Sequence, residues 1–396
     1  MRLRNICTIV LIAAFIFSAR SDFEPFPPTP EGQKYSNEVA FQVLSNYTDI
    51  AWAMYADAVR DVVRFNMAVY HFRKDPGPET LQNAKDLWID ARKTYGKTEC
   101  FRFSETPIDE LGLEILINAW PVDESYIDYT RDDRDSGIIN QPDRYPKINS
   151  VYLPKLNEQG GEANVSTGWH TIEFLLWGQD FDTDGPGNRP WTDFTTAKNA
   201  DRRMTYLVTA TEVLRSHLVT VSEEWNPANY DGESGEFFIR HPSRIIRSIM
   251  TGIGSMAGRE IADERLAAAL RSGSQENEYS CFSDTTHNDL VANMEGLESI
   301  LFGKFINKSG KVVIDGKGII DIISSADKEL AGRMETQFRS AMMHIEAIPR
   351  PFDQIIVAPD DSEGRKTIDK AISSLWEFVY SMSVAEKFME LNTRPR

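Results

Sequence analysis

The sequence predicts an all-α protein made of two helical-bundle domains related by internal duplication. Three observations carry that prediction. Apolar residues recur at three- and four-residue steps over long stretches, the period of a helix with one buried face. The alternation of a half-buried strand is almost absent, residues 311–314 (Lys-Val-Val-Ile) being the single candidate. The breaks between stretches are short and rich in proline and glycine, which suits helices folded back on one another. At 396 residues the chain is also too long for one small core.

The elements follow in order. Arg2 and Arg4 precede an apolar run over residues 6–17, and Ala19-Arg20-Ser21 then supplies a small-x-small site. That is the layout of a secretory signal peptide over residues 1–21, and its apolar run is short for a membrane span. Cys7 lies before most of the run, so no lipoprotein anchor is expected. Residues 22–38 form a proline-rich leader, extended or flexible. Val39, Val43, Leu44, Tyr47, Ile50, Ala51, Met54, Tyr55, Ala58 and Val62 then mark a long helix, broken by Asp75-Pro76-Gly77-Pro78. Further helices are expected over residues 79–95, over 108–120, where Pro121 stops the helix, and over a short stretch at 124–129. Residues 131–165 are polar and turn-rich. The stretch 168–180 (GWHTIEFLLWGQD) opens another helix, which ends near Trp177-Gly178, and a loop covers 180–192.

A long helix is expected over 198–225, with Met204, Leu207, Val208, Thr211, Leu214, Leu218 and Val221 as its stripe. Others follow over 243–257, 262–272, 288–301, 319–347 and 362–391. Residues 99–111 (ECFRFSETPIDEL) align without gaps on residues 278–290 (EYSCFSDTTHNDL), so that Glu99 meets Glu278, Ser104 meets Ser283 and Thr106 meets Thr285. This reads as duplication of one helical unit and sets a boundary near residue 195, between domains at 39–195 and 196–396. Ser104 and Ser283, or Thr106 and Thr285, can cap the helix that follows.

The balance of 43 basic against 60 acidic residues gives a formal charge of −17, with no basic stripe, so a nucleic-acid partner is not expected. Nor does any segment after the signal peptide have the length of a membrane helix. Cys100 and Cys281 remain after cleavage; a disulfide and two separate buried thiols both fit an exported chain.

His170 and Glu173 stand three apart and share a helix face. Such a pair serves as metal ligands for zinc, iron or manganese, or satisfies itself by hydrogen bonding in a core. A metal needs more ligands, for which Glu124, Asp128, Glu99, Asp284 and His287 are candidates. The zinc-peptidase helix with its second histidine is missing. Asp180 to Gly185 resembles half a calcium loop, but Trp191 occupies the position of its bidentate acid, so a surface turn is expected. Ser283, Asp284 and His287 lack the glycine-flanked elbow of a nucleophile.

The stretch from Gly168 through His170 and Glu173 to Asp180 resembles the signature of the imelysin family. Residues 120–128 (WPVDESYID), 185–193 (GPGNRPWTD) and 280–287 (SCFSDTTH) are similar to three further family stretches. The resemblance covers nearly the whole mature chain. It implies a duplicated two-domain helical fold, export to the periplasm or outer membrane, and a link to iron uptake with an envelope transport partner. It also implies a cleft between the domains holding His170 and Glu173. Gly168, Trp169, Asp128, Glu99, Ser283, Asp284 and His287 are expected to line it, and Glu124 to join the pair as third ligand. Iron, or a small iron-bearing ligand, is the expected cargo, with zinc the alternative. The family also carries a metallopeptidase label. The motif supplies two ligands and no evident general base, whereas a hydrolytic zinc site has three ligands, an open position and a base. Binding without catalysis is therefore favoured over a zinc peptidase.

Overall fold

Two long antiparallel helices lead the chain. In the computed structural model, residues 35–181, 185–229, 232 and 242–390 are described. The signal peptide, most of the leader and residues 182–184 of the acidic loop lie outside them. Helix α1 (Asn37–Lys74) starts where the Ser36 hydroxyl accepts a hydrogen bond from the Val39 amide. It ends at the expected proline-glycine break, and α2 (Pro78–Thr98) returns along it with proline in its first turn. The expected helix at 108–120 is two single turns, Pro107–Glu110 and Glu114–Ile117. Asp109 organises the first of them by accepting from the amides of Phe103 and Ser104. Residues 118–165 hold further single turns, and α3 (Trp169–Trp177) then passes through the interior with all nine residues buried.

Helix α4 (Ala200–Glu224) packs on α1 and α3. The expected boundary near residue 195 thus falls just before a helix that packs on ones preceding it. In chain order, α1–α4 make up the first half of the molecule, and the second half starts at α5 (Pro242–Ser255). Two helices with a break were expected over 243–272. Instead α5 runs through a π-helical segment, Met256–Ala267, into α6 (Ala268–Ser272). The wider π turn keeps the chain helical while it shifts the apolar face, and it brings positions five apart onto one side. Glu260 and Arg265 use that spacing, with a guanidinium N–H donated over 3.0 Å.

Helix α7 (Thr286–Phe302) follows, then an antiparallel hairpin of β1 (Lys304–Ile306) and β2 (Val312–Asp315) with Phe305 opposite Ile314. The expected helix at 319–347 is α8 (Ile319–Ala326) and α9 (Lys328–Glu346). The break is at Asp327, whose carboxylate accepts from the Leu330 amide at 2.9 Å and so caps α9. A short α10 (Phe352–Ile356) precedes α11 (Glu363–Glu390), which packs on α9, α5 and the π segment. The fold is thus all-α, and no described helix is long and apolar enough to cross a membrane.

The halves meet along α2 and α7. A Cβ on Gly296 would stand 2.1 Å from the Lys97 carbonyl oxygen, so this seam closes only with glycine there. The two aligned stretches form similar turns: Glu105 and Asp284 both have left-handed backbones, φ 55° and 53°, and Ser104 and Ser283 are both buried. The helices after these turns differ, a single turn in the first half against the whole of α7 in the second. Cys100 is a buried free thiol, and Cys281 is half-buried.

Candidate functional site

Helix α3 is fixed at its start by Gly168. Its φ is 93°, and a Cβ there would lie 2.6 Å from the Ile117 carbonyl oxygen. Only glycine meets both conditions, which gives the first letter of the motif a physical reason. The helix then carries His170 and Glu173 into the interior, where they are 1% and 0% exposed.

The pair meets as the spacing predicts, with His170 Nδ1 2.8 Å from Glu173 Oε2. The other carboxylate oxygen accepts from both the amide (3.0 Å) and the hydroxyl (2.7 Å) of Ser283. The first half thus supplies the acceptor and the second half the donors. Tyr279, also from the second half, packs its ring edge-on against the imidazole at 4.8 Å. His170 Nε2 lies 3.4 Å from the Arg92 guanidinium, which can only donate. In the ionised couple, Nε2 is therefore the acceptor and Nδ1 carries the proton donated to Glu173.

Around the couple lies a buried charge network shared by the halves. Arg92 Nε donates to Asp289 Oδ1 at 2.8 Å, and another Arg92 N–H donates to Asn118 Oδ1. Arg265 donates to Glu99 Oε2 at 2.6 Å and to the Tyr279 hydroxyl at 3.1 Å. Asn118 Nδ2 and Asn293 Nδ2 each donate to Glu99 at 3.1 Å. Burial works against ionised Glu99, yet Arg265, Arg92 and Arg102 hold it at about 2.

The expected ligands are placed differently. Glu99 is enclosed by those three arginines. Asp128 is bound by Arg189 at 2.7 Å and by Arg203 at 2.6 and 2.8 Å, and against its burial they lower its pKa. Glu124 is half-buried on a single turn, Glu124–Ile127. Trp169 belongs to an aromatic cluster with Trp88 and Tyr95, at 5.9 and 5.5 Å. His287 is half-buried on the first turn of α7, its pKa lowered to about 4 by burial and then by Arg350 and Lys93. Among the described residues, one group of potential ligands has donor atoms within 4.8 Å of one another: Glu278, Asp284 and Asp353. Sequence reasoning missed Glu278 as a site residue although it aligns with Glu99. Nothing in the sequence marked Asp353, Arg92 or Arg265 as site residues.

A metal held by His170 and Glu173 does not fit this arrangement. A cation between them would break their hydrogen bond and sit beside Arg92, and Glu124 does not group with them. The geometry instead suits holding a proton. Burial foremost pushes Glu173 up to about 8, against the Ser283 hydrogen bonds, and burial with Arg92 and Arg265 lowers His170 well below 6.5. The folded state therefore binds the Glu173 proton more tightly than the unfolded chain does. That stability is fully present below pH 4.5 and is lost as pH rises through about 8. His170 acts in the opposite sense, costing stability as pH falls below 6.5. Wild-type stability should fall between pH 6.5 and about 8, and Glu173→Gln should flatten that fall. Urea midpoints across this range check it; an unchanged slope in the variant would remove Glu173 from the account.

The model of the family described as Imelysin matches residues 51–382. Iron-regulated protein A of Synechococcus elongatus is 19% identical over 348 residues, covering 84% of this chain and 83% of its own length. A crystal structure from Parabacteroides distasonis, named for an iron-regulated protein A precursor, superposes with a TM-score of 0.70 at 16% identity, over 91% of this chain and 98% of the other. An imelysin-like protein from Psychrobacter arcticum gives 0.60 at 12% identity, over 87% and 93%. At such identities these two structures speak for the fold.

Proposed function

The chain belongs to the imelysin family, and on that premise we propose that it is an exported, non-catalytic protein of the cell envelope with an iron-related role. Iron or an iron-bearing ligand engages the junction of the two halves beside the His170–Glu173 couple. The name of the Synechococcus relative supports the iron link, and the arginine-led apolar N-terminus supports export. One observation carries the reading. Glu173 of the first half takes both donors of Ser283 in the second, so an event at the junction bears on both halves at once. In this role His170 and Glu173 are hydrogen-bonding residues that hold the Ser283 turn.

The peptidase alternative is the weaker one. A hydrolytic site needs an open coordination position and a base within reach of water, and both motif residues are enclosed and engaged with each other. The test is elemental analysis of the mature protein, exported and purified without chelators, beside a peptide-library assay with zinc present. Iron in the preparation and no cleavage are expected. Cleavage abolished by a chelator and by Glu173→Gln would establish the peptidase instead.

A further inference from the structure

We propose that Glu278, Asp284 and Asp353 form a binding site for one hard, oxygen-preferring cation. They come from three places in the second half: the segment after the turn Gln275–Asn277, the turn before α7, and α10. They are 0%, 7% and 1% exposed, and their ligand oxygens lie within 4.8 Å of one another. An oxygen triangle of that size closes on a single cation at about 2.0–2.6 Å with small side-chain rotations.

A cluster of acids is not in itself a site, and the second observation concerns their hydrogen bonding. Neither oxygen of Glu278, wholly buried, accepts a hydrogen bond of normal geometry, and neither does Asp353 Oδ1. Asp353 Oδ2 takes one donor, Gln275 Nε2 at 2.9 Å. Burying a carboxylate unsatisfied is expensive unless a cation or a proton offsets it. Glu99, at the aligned position of the first half, is met by three arginines. Glu278 is met chiefly by further acids: after burial itself, the charges raising its pKa are Asp284, Asp353 and Glu173, with the Thr286 hydroxyl opposing them. Glu278 thus has the burial of Glu99 without its counter-charge, and a bound cation would supply one.

The donor set states the chemistry. Three carboxylates, with no imidazole or thiolate, select hard cations such as manganous or ferric ions over zinc, which is held mainly by nitrogen and sulfur. Iron in particular rests on the proposed iron role; the cation site itself does not. Asp284 follows Ser283 in the chain, so the site adjoins the turn that Glu173 holds.

The test uses the mature full chain, stripped with a chelator and then offered manganous chloride or, separately, ferric nitrilotriacetate. Binding is read by calorimetry, retained metal and the shift of the melting temperature. The variants are Glu278→Gln, Asp353→Asn and His170→Ala. One equivalent of metal, bound about tenfold or more weakly in the first two variants and normally in His170→Ala, is the expected result. An amide in place of an unsatisfied carboxylate should leave the metal-free variants folded, and their metal-free melting curves verify that. Metal lost in His170→Ala but kept in the other two would overturn this site and return the iron role to the motif pair. Binding of neither ion would overturn the site, while iron found in the unstripped protein would still support the iron role.

Discussion

Replacing Glu99 by alanine should destabilise the protein by about 3–5 kcal/mol, the usual consequence of deleting one partner from a buried ion pair. Glu99 is the anion that Arg92, Arg102 and Arg265 share, and Asn118 and Asn293 also donate to it. Arg92 and Arg265 are each 1% exposed, so water cannot readily replace the lost carboxylate. Arg92 retains Asp289 and Arg265 retains Glu260, which keeps the loss from growing further. Glu99→Gln, which preserves the volume, should fall between wild type and alanine. Urea denaturation of the three proteins measures the order. A loss under about 1 kcal/mol for alanine would mean that the arginines are solvated, and the buried network would have to be redrawn.

Gly168→Ala should come close behind, at about 2–5 kcal/mol from backbone strain and overpacking together. The substituted residue must either keep φ at 93° and press its Cβ to 2.6 Å from the Ile117 carbonyl oxygen, or move the start of α3. Moving α3 carries Trp169 out of its aromatic cluster and draws Glu173 from Ser283. The variant should therefore lose near-ultraviolet circular dichroism along with stability. A melting temperature within about a degree of wild type would show that the position tolerates a side chain.

Much of this architecture could be read in the sequence, for a physical reason. The long helices have an apolar stripe that repeats at the helical period, so α1, α2, α4, α9 and α11 were expected within a few residues, with α9 expected joined to α8. The His170–Glu173 contact follows from i, i+3 geometry, which needs no tertiary information. Spacing could not reveal who else comes near. Arg92 and Arg265 belong to a residue type that usually faces water, and they pair in the interior with acids 197 and 166 residues away, Asp289 and Glu99. The same holds for the ligand candidates: spacing could not show that Arg265 comes to Glu99, or Arg203 to Asp128, from a distant segment. Of the two cap candidates before α7, Thr285 stands at the N-cap position, while the amide and hydroxyl of Ser283 are given to Glu173. The π segment was expected as a break because its stripe leaves the three-and-four rhythm.

The charge network also constrains how the gene can change. Arg92, Glu99 and Asn118 precede α4, while Arg265, Asp289 and Asn293 follow it. A fission placed after α4 would leave each product with ionised groups whose counter-charges are encoded in the other. Recombination that exchanged one half for that of a distant relative would mismatch the same ions. The two halves are therefore inherited as a set, and substitutions at these six positions must be compensated across the seam.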